Sequence, residues 1–225
     1  MKLSVVIPTL NEAGLIQFTL QKVRAAGANE VIVADGGSQD LTREMARTLA
    51  DKVIETPRGR ALQMNEGAKA ANGDILLFLH ADTDLPPDAL AAIETALADP
   101  QVVGGRFNIR LDRGGWLFGS VAHLVNLRSR LTKIATGDQA IFVRREVFER
   151  IGGFPEIPLM EDVEFSRRLK QAGRVACLRH RVVTSARRWE QRGPLKTVFL
   201  MWGLRFLYFI GVSPNRLKRL YLDVR

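Results

Sequence analysis

Cysteine is nearly absent from this 225-residue chain, Cys177 being the only one. That excludes an intramolecular disulfide framework and a cysteine-based zinc cluster, and a reducing, cytoplasmic setting fits best. Histidine occurs three times (His80, His123, His180) without HExxH spacing, so any metal site must lean on carboxylates. There is no GxSxG, GxGxxG or GxxxxGK(S/T) pattern, which leaves serine-hydrolase chemistry and a phosphate loop without support. No zinc-finger, helix-turn-helix or aromatic-basic RNA-binding signature occurs, so nucleic acid is not expected as a partner. The apolar start at residues 3–7, closed by Pro8, reads as a strand and not as a signal peptide. The most apolar stretch, residues 198–212, falls short of the roughly 20 residues that span a bilayer, and Arg205 interrupts it.

What is present is ordinary in composition, 46% hydrophobic and 25% charged, and that places the chain among globular proteins. The net charge of +9 is unevenly spread. Residues 1–99 carry 9 basic and 14 acidic side chains, a balance of −5, whereas residues 100–225 carry 24 and 10, a balance of +14. A basic half suits a phosphorylated substrate or an anionic membrane surface, or serves solubility alone. Short β-branched or leucine-rich runs at 3–7, 30–34, 52–55 and 74–79 alternate with helix candidates at 12–26, 39–50, 60–71 and 86–98. This rhythm predicts an α/β fold, a mostly parallel sheet with helices on both faces. The second half reads as strands at 102–111 and 139–143 and helices at 116–131, 145–151 and 162–172. The simplest partition is one domain over 1–190 with an apolar and basic appendage at 191–225, packed on the domain or lying on anionic lipid.

In such sheets ligands collect beyond the carboxyl ends of the strands. Asp82 and Asp84 follow an apolar run there and suit a hard divalent cation, Mg²⁺ or Mn²⁺, although Asp84 also suits a helix N-cap. Asp35 and Gly36 follow the second run, as a ribose or base contact or as a plain turn. Arg60 opens a helix and suits a diphosphate, or is an ordinary surface arginine. Glu161 and Asp162 precede a helix as caps, or supply a general base.

Taken in order, residues 5–12 (VVIPTLNE), 31–40 (VIVADGGSQD), Ala81-Asp82 and Met160-Glu161-Asp162 resemble glycosyltransferase family 2 over roughly residues 1–190. The resemblance implies a GT-A fold, with a nucleotide-binding half at about 1–99 and an acceptor half at about 100–190. It also implies a nucleotide-diphosphate sugar donor, a divalent cation and inversion at the anomeric carbon. Pro8, Asn11 and Glu12 would line the nucleotide pocket, with Asp35 on the base or ribose. Asp82 would hold the metal and Asp162 act as base beside Glu161. Asp138 falls in a loop that contacts donor or acceptor, and Arg188-Trp189 matches part of a signature of processive members. Ser185 replaces that signature's glutamine, so processivity is not inferred. His80 stands where the family's DxD motif begins, and it would touch the nucleotide or join the metal shell. The His-Ala-Asp-Thr version, the short length and Arg-Arg-Trp-Glu resemble a bacterial subgroup associated with arsenosugar biosynthesis. The acceptor would be a small molecule or lipid-linked, the protein peripheral on the inner membrane face or free, and a homodimer is allowed. The rival expectations are a nucleotidyltransferase and a non-catalytic nucleotide-sugar or nucleic-acid binding module.

Overall fold

The computed structural model describes residues 1–187, 190 and 193–223. The first four apolar runs form β1 (Leu3–Thr9), β2 (Glu30–Asp35), β3 (Lys52–Glu55) and β4 (Ile75–Phe78), with β1 pairing in parallel with β2 and β4, and β2 with β3. Their connections carry α1 (Ile16–Ala25), α2 (Thr42–Ala46) and α3 (Arg60–Ala70). Then come β5 (Thr83–Asp84), α4 (Ala89–Leu97), β6 (Val102–Leu111), α5 (Trp116–Thr132), a 3₁₀ turn (Gly137–Gln139), β7 (Ile141–Arg144), α6 (Arg145–Arg150), α7 (Glu161–Ala172) and β8 (Arg174–Thr184). Two further helices, α8 (Pro194–Phe209) and α9 (Pro214–Asp223), follow.

Among the described residues all eight strands share one sheet, in the order β3-β2-β1-β4-β7-β6-β8-β5. The expected boundary near residue 99 therefore falls inside a continuous sheet, because β7 pairs antiparallel with both β4 and β6. Both faces are covered. Val5, Ile7, Ile75 and Leu77 point into one apolar cluster with α1, α4 and α5. Val6, Leu76 and Phe78 point into the other, with α3, α6 and α7. Strands buried on both sides need unbroken apolar runs, which is why the first four were readable. On the second face Phe78, Phe148, Phe154 and Phe165 pack ring on ring, with Phe154 and Phe165 stacked at 4.1 Å. Each such ring, buried, is worth about 2 kcal/mol of apolar transfer.

The register explains where a site can form. Ile141 opens β7 opposite Phe78, the last residue of β4, and Thr184 ends β8 beside Leu111 and Thr83. The segments after β4, before β7 and after β8 therefore meet at one edge. The N-terminus of α7 joins them, since that helix runs back along the sheet before β8 begins.

Strand β8 was not foreseen. Its run of Arg179, His180 and Arg181 lies exposed and breaks any alternation, and pairing with β6 slips between Arg106 and Asn108. The expected helix at 39–50 shortens to the five residues of α2. The C-terminal segment packs on the domain. Leu204 of α8 and Leu217 of α9 are buried with Met160, and the Tyr208 hydroxyl donates to Glu164 of α7 at 3.4 Å. The outer side of α8 stays exposed at Phe199, Phe206 and Phe209. Among the described residues no helix is long and apolar enough to cross a membrane.

Candidate active site

A cavity of about 260 Å³ opens at the shared sheet edge. His80 and Asp82 reach it from the turn after β4, Gly137 and Asp138 from the 3₁₀ turn, and Glu161 and Asp162 from the first turn of α7. Arg60, Arg128, Arg187 and Arg205 supply positive charge to its walls. Met160, immediately before the carboxylate pair, has φ 71°, and Ala140 after the 3₁₀ turn has φ 46°. Side chains held at positive φ cost of order 1–3 kcal/mol, which packing at such sites must offset.

Asp162 is fastened at both oxygens. Gly137 N–H donates to Oδ2 at 3.0 Å and Val163 N–H to Oδ1 at 2.8 Å. Burial, reinforced by the neighbouring Glu161 charge, nevertheless pushes its carboxyl up to about 6. Glu161 is buried and receives Arg60 Nη1 at 3.1 Å, an ion pair that ties the start of α3 to the start of α7. Arg60, expected on a diphosphate, is thus held by Glu161. Burial works against the charge of Arg60, but Glu161 and Asp162 raise its pKa above the ordinary arginine value. Gly137 is required by contact: a Cβ there would sit 2.5 Å from His80 Nε2. This packing seats the 3₁₀ turn, and with it the N–H that holds Asp162.

Asp82 lies in a turn just ahead of β5, and Glu12 lies near enough that burial and then the Asp82 charge raise the Glu12 carboxyl, with Arg187 opposing. Asp84 is not brought to this place. Asp82 is still in the turn, and pairing begins at Thr83, with Asp84 opposite Val183 of β8. Asp84 is instead raised by burial, with Lys22 opposing and Asp112 adding. Of the carboxylates at this end of the sheet, Asp82 lines the cavity, Glu12 feels its charge, and Asp84 is turned toward Lys22 and Asp112. Among the described residues no cluster of three or more candidate ligands exists. Two carboxylates with room for substrate oxygens is the donor set Mg²⁺ and Mn²⁺ accept.

The ends of β1 and β2 form a separate rim. Asp35 is fully buried, and its carboxylate accepts hydrogen bonds from Thr9 Oγ1 (3.1 Å), Gly37 N–H (3.1 Å), Ser38 N–H (2.8 Å) and Ser38 Oγ. It is not among the residues that line the cavity. Gly36 is crowded by protein: a Cβ there would meet the Gln63 side chain at 3.0 Å, and Gln63 Nε2 bridges Thr9 and Ala34 carbonyls. Asn11, at φ 57°, accepts from Gln39 N–H while its own N–H donates to Ser38, so it locks the two loops together beside half-buried Pro8. Arg188 and Trp189 lie outside the described residues. Sequence reasoning missed Arg128, Arg187, Arg205, Trp202 and Tyr221, all of which line the cavity. The available signal was helical spacing in residues 121–128 and 198–205.

Residues 4–152 match the family profile described as Glycosyl transferase family 2, more than half of the chain. The glycosyltransferase AglE of Haloferax volcanii is 29% identical over 198 residues, covering 80% of this chain and 65% of that protein. A PGL/p-HBAD biosynthesis glycosyltransferase of Mycobacterium tuberculosis is 33% identical over 164 residues, 67% of this chain and 62% of that protein. This chain thus spans somewhat under two thirds of either relative. Among solved structures, the Pyrobaculum calidifontis mannosyltransferase PcManGT, in complex with GDP-Man and Mn²⁺, superposes with a TM-score of 0.68 at 27% identity, over 91% of this chain and 60% of that one. The fold is therefore GT-A, mixed and mostly parallel with helices around it. The chain belongs to glycosyl transferase family 2.

Proposed function

We propose that this protein moves a sugar from a nucleotide-diphosphate donor to an acceptor hydroxyl, with inversion at the anomeric carbon. The observation that carries it is Asp162: a carboxylate in the cavity wall, raised to about 6, held at fixed orientation in the same cavity as Asp82. A base with that pKa is ionised at neutral pH and accepts a proton readily, the condition for general-base catalysis. Glu161 keeps it basic, and Arg60 Nη1 fixes the position of Glu161 at 3.1 Å.

In the reaction the acceptor oxygen forms a bond to the anomeric carbon as the bond to the diphosphate oxygen breaks. The hydroxyl proton passes to Asp162. A divalent cation, held by Asp82 with Glu12, would neutralise charge on the departing diphosphate. Arg187, beside Glu12, supplies further positive charge on that side. Pro8, Asn11, Asp35 and Gly36 stay the candidates for the nucleoside, with Asp35 exchanging its Ser38 hydroxyl partner for a donor on the base. The mannosyltransferase with GDP-Man and Mn²⁺ supports both a sugar-nucleotide donor and a divalent ion. Incubation with a panel of sugar nucleotides and Mn²⁺, followed by NMR of the product anomer, tests the proposal. Expected are donor turnover lost in Asp82→Asn and inverted anomeric configuration; retained configuration defeats the mechanism.

The outer face of α8, with Phe199, Phe206 and Phe209 exposed near Arg216, Lys218 and Arg219, has the make-up of an interfacial helix on anionic lipid. Flotation with anionic vesicles at low salt tests this, and protein left at the bottom removes it.

A further inference from the structure

Two helices wall the cavity with the same pattern. On α5 the lining residues are Val121, Leu124, Val125 and Arg128; on α8 they include Val198, Met201, Trp202 and Arg205. Both sets are spaced i, i+3, i+4, i+7, so each helix turns one stripe inward, apolar for a turn and then ending in an arginine. The two helices contact one another, so the stripes form one continuous wall.

A guanidinium carries five N–H donors and no acceptor, and a buried one left unsatisfied is costly. Among the described residues Arg128 Nε and Nη2 and Arg205 Nε are buried without a hydrogen-bond partner. Asp138 and Asp162 are the charged neighbours of Arg128, yet neither bonds those two nitrogens, and Asp138 Oδ1 is itself buried without a partner. The other arginines of the cavity have carboxylates near them: Arg60 is paired with Glu161, and Arg187 sits by Glu12. Arg128 and Arg205 are therefore placed to receive an anion from a ligand, with apolar side chains beside them to receive its body.

We propose that the α5–α8 wall is the acceptor subsite, and that its ligand carries a phosphate or carboxylate group on an apolar body. This rests on the transfer reading above, for a stereochemical reason. In-line displacement puts the leaving diphosphate and the attacking hydroxyl on opposite faces of the sugar. The diphosphate belongs with Asp82, so Arg128, whose charged neighbours are Asp138 and Asp162, lies on the acceptor side, and Arg205 belongs to the helix packed against it. A neutral amphiphile would fill the apolar stripe and leave the guanidinium donors unmet.

Calorimetry on the full chain tests this with n-octyl phosphate below its micellar concentration, n-octyl glucoside, inorganic phosphate, and a nucleoside diphosphate with Mn²⁺. Octyl phosphate should bind about tenfold or more tighter than octyl glucoside or inorganic phosphate. Arg128→Gln and Arg205→Gln should each weaken it by about tenfold or more, with nucleoside diphosphate affinity kept within about twofold. If Arg128→Gln does not fold, Arg205→Gln, on a helix outside the sheet, decides alone. Equal affinity for octyl phosphate and octyl glucoside overturns the proposal. So does a parallel loss of nucleoside diphosphate binding in the variants, which would give the arginines to the donor. Wild-type protein that binds octyl phosphate but no nucleoside diphosphate keeps the anion site and overturns the transfer reading, and with it the acceptor label. Arg205-dependent binding to phosphatidylglycerol vesicles supports a lipid-borne acceptor, and Arg205-dependent octyl phosphate binding without vesicle binding supports a soluble one.

Discussion

Glu30, at the base of the first strands, and Asp162, at the cavity, are both shielded carboxylates pushed in opposite directions. Burial acts against the charge of each. At Glu30 it is overcome by Ser4 Oγ (2.6 Å), Asn72 N–H (2.6 Å), Asn72 Nδ2 (2.8 Å) and Lys52 Nζ (3.1 Å), which bring the carboxyl down to about 2. Asp162 receives only two backbone donors and has a second carboxylate next to it, so it moves up to about 6. The first region is satisfied and holds strands together. The second is left under-compensated, and that deficit is what a proton acceptor requires.

Asp162→Asn breaks the comparison most severely. Turnover should fall by roughly 10²–10⁴-fold with donor affinity retained, read by single-turnover kinetics and calorimetry. An equal loss of donor affinity would make Asp162 a cap.

Next is Glu30→Gln. A carboxyl lowered from 4.5 to about 2 contributes stability that is present above pH 4.5 and lost as pH falls toward 2. At pH 7 the variant should lose on the order of 3 kcal/mol, several degrees in Tm, and the gap should close in acid. Denaturation at pH 7 and pH 3 checks this.

Gly137→Ala would push a methyl group against His80 and displace the N–H that holds Asp162. About tenfold lower kcat with an unchanged donor Kd is expected, since small misplacements of a reacting group are expensive.

The remaining effect is on stability, again at Asp162. A raised carboxyl costs stability as pH rises from 3.8 through about 6, so Asp162→Asn should be more stable than the parent at pH 8, by up to about 3 kcal/mol, and equal to it near pH 3. Thermal melts across that range decide.

Much of the first half was legible because strands buried on both faces must be continuously apolar, as residues 3–7 and 75–78 are. Asp82 and Asp162 were legible as carboxylates following such runs or opening a helix. The parting of Asp84 from Asp82 was not legible, because the pairing of Asp84 with Val183 is a contact with a strand about a hundred residues away. Asp35 was legible as a carboxylate closing a buried run, but not that four donors from its own and neighbouring loops would hold its oxygens. Strand β8 was missed because its middle is charged and exposed, and two of its eleven residues are buried.

From the chain alone come the α/β rhythm, the family motifs and the carboxylates that can do chemistry, since these depend on local spacing and side-chain type. Folding decided the rest: that Glu161 pairs with Arg60 across 101 positions, that Gly137 reaches Asp162, and that Val121–Arg128 faces Val198–Arg205. Those contacts depend on how β7 enters the sheet and how α8 packs back on α7. Such distances in space have no period in sequence, so only the assembled sheet edge could bring the charges together.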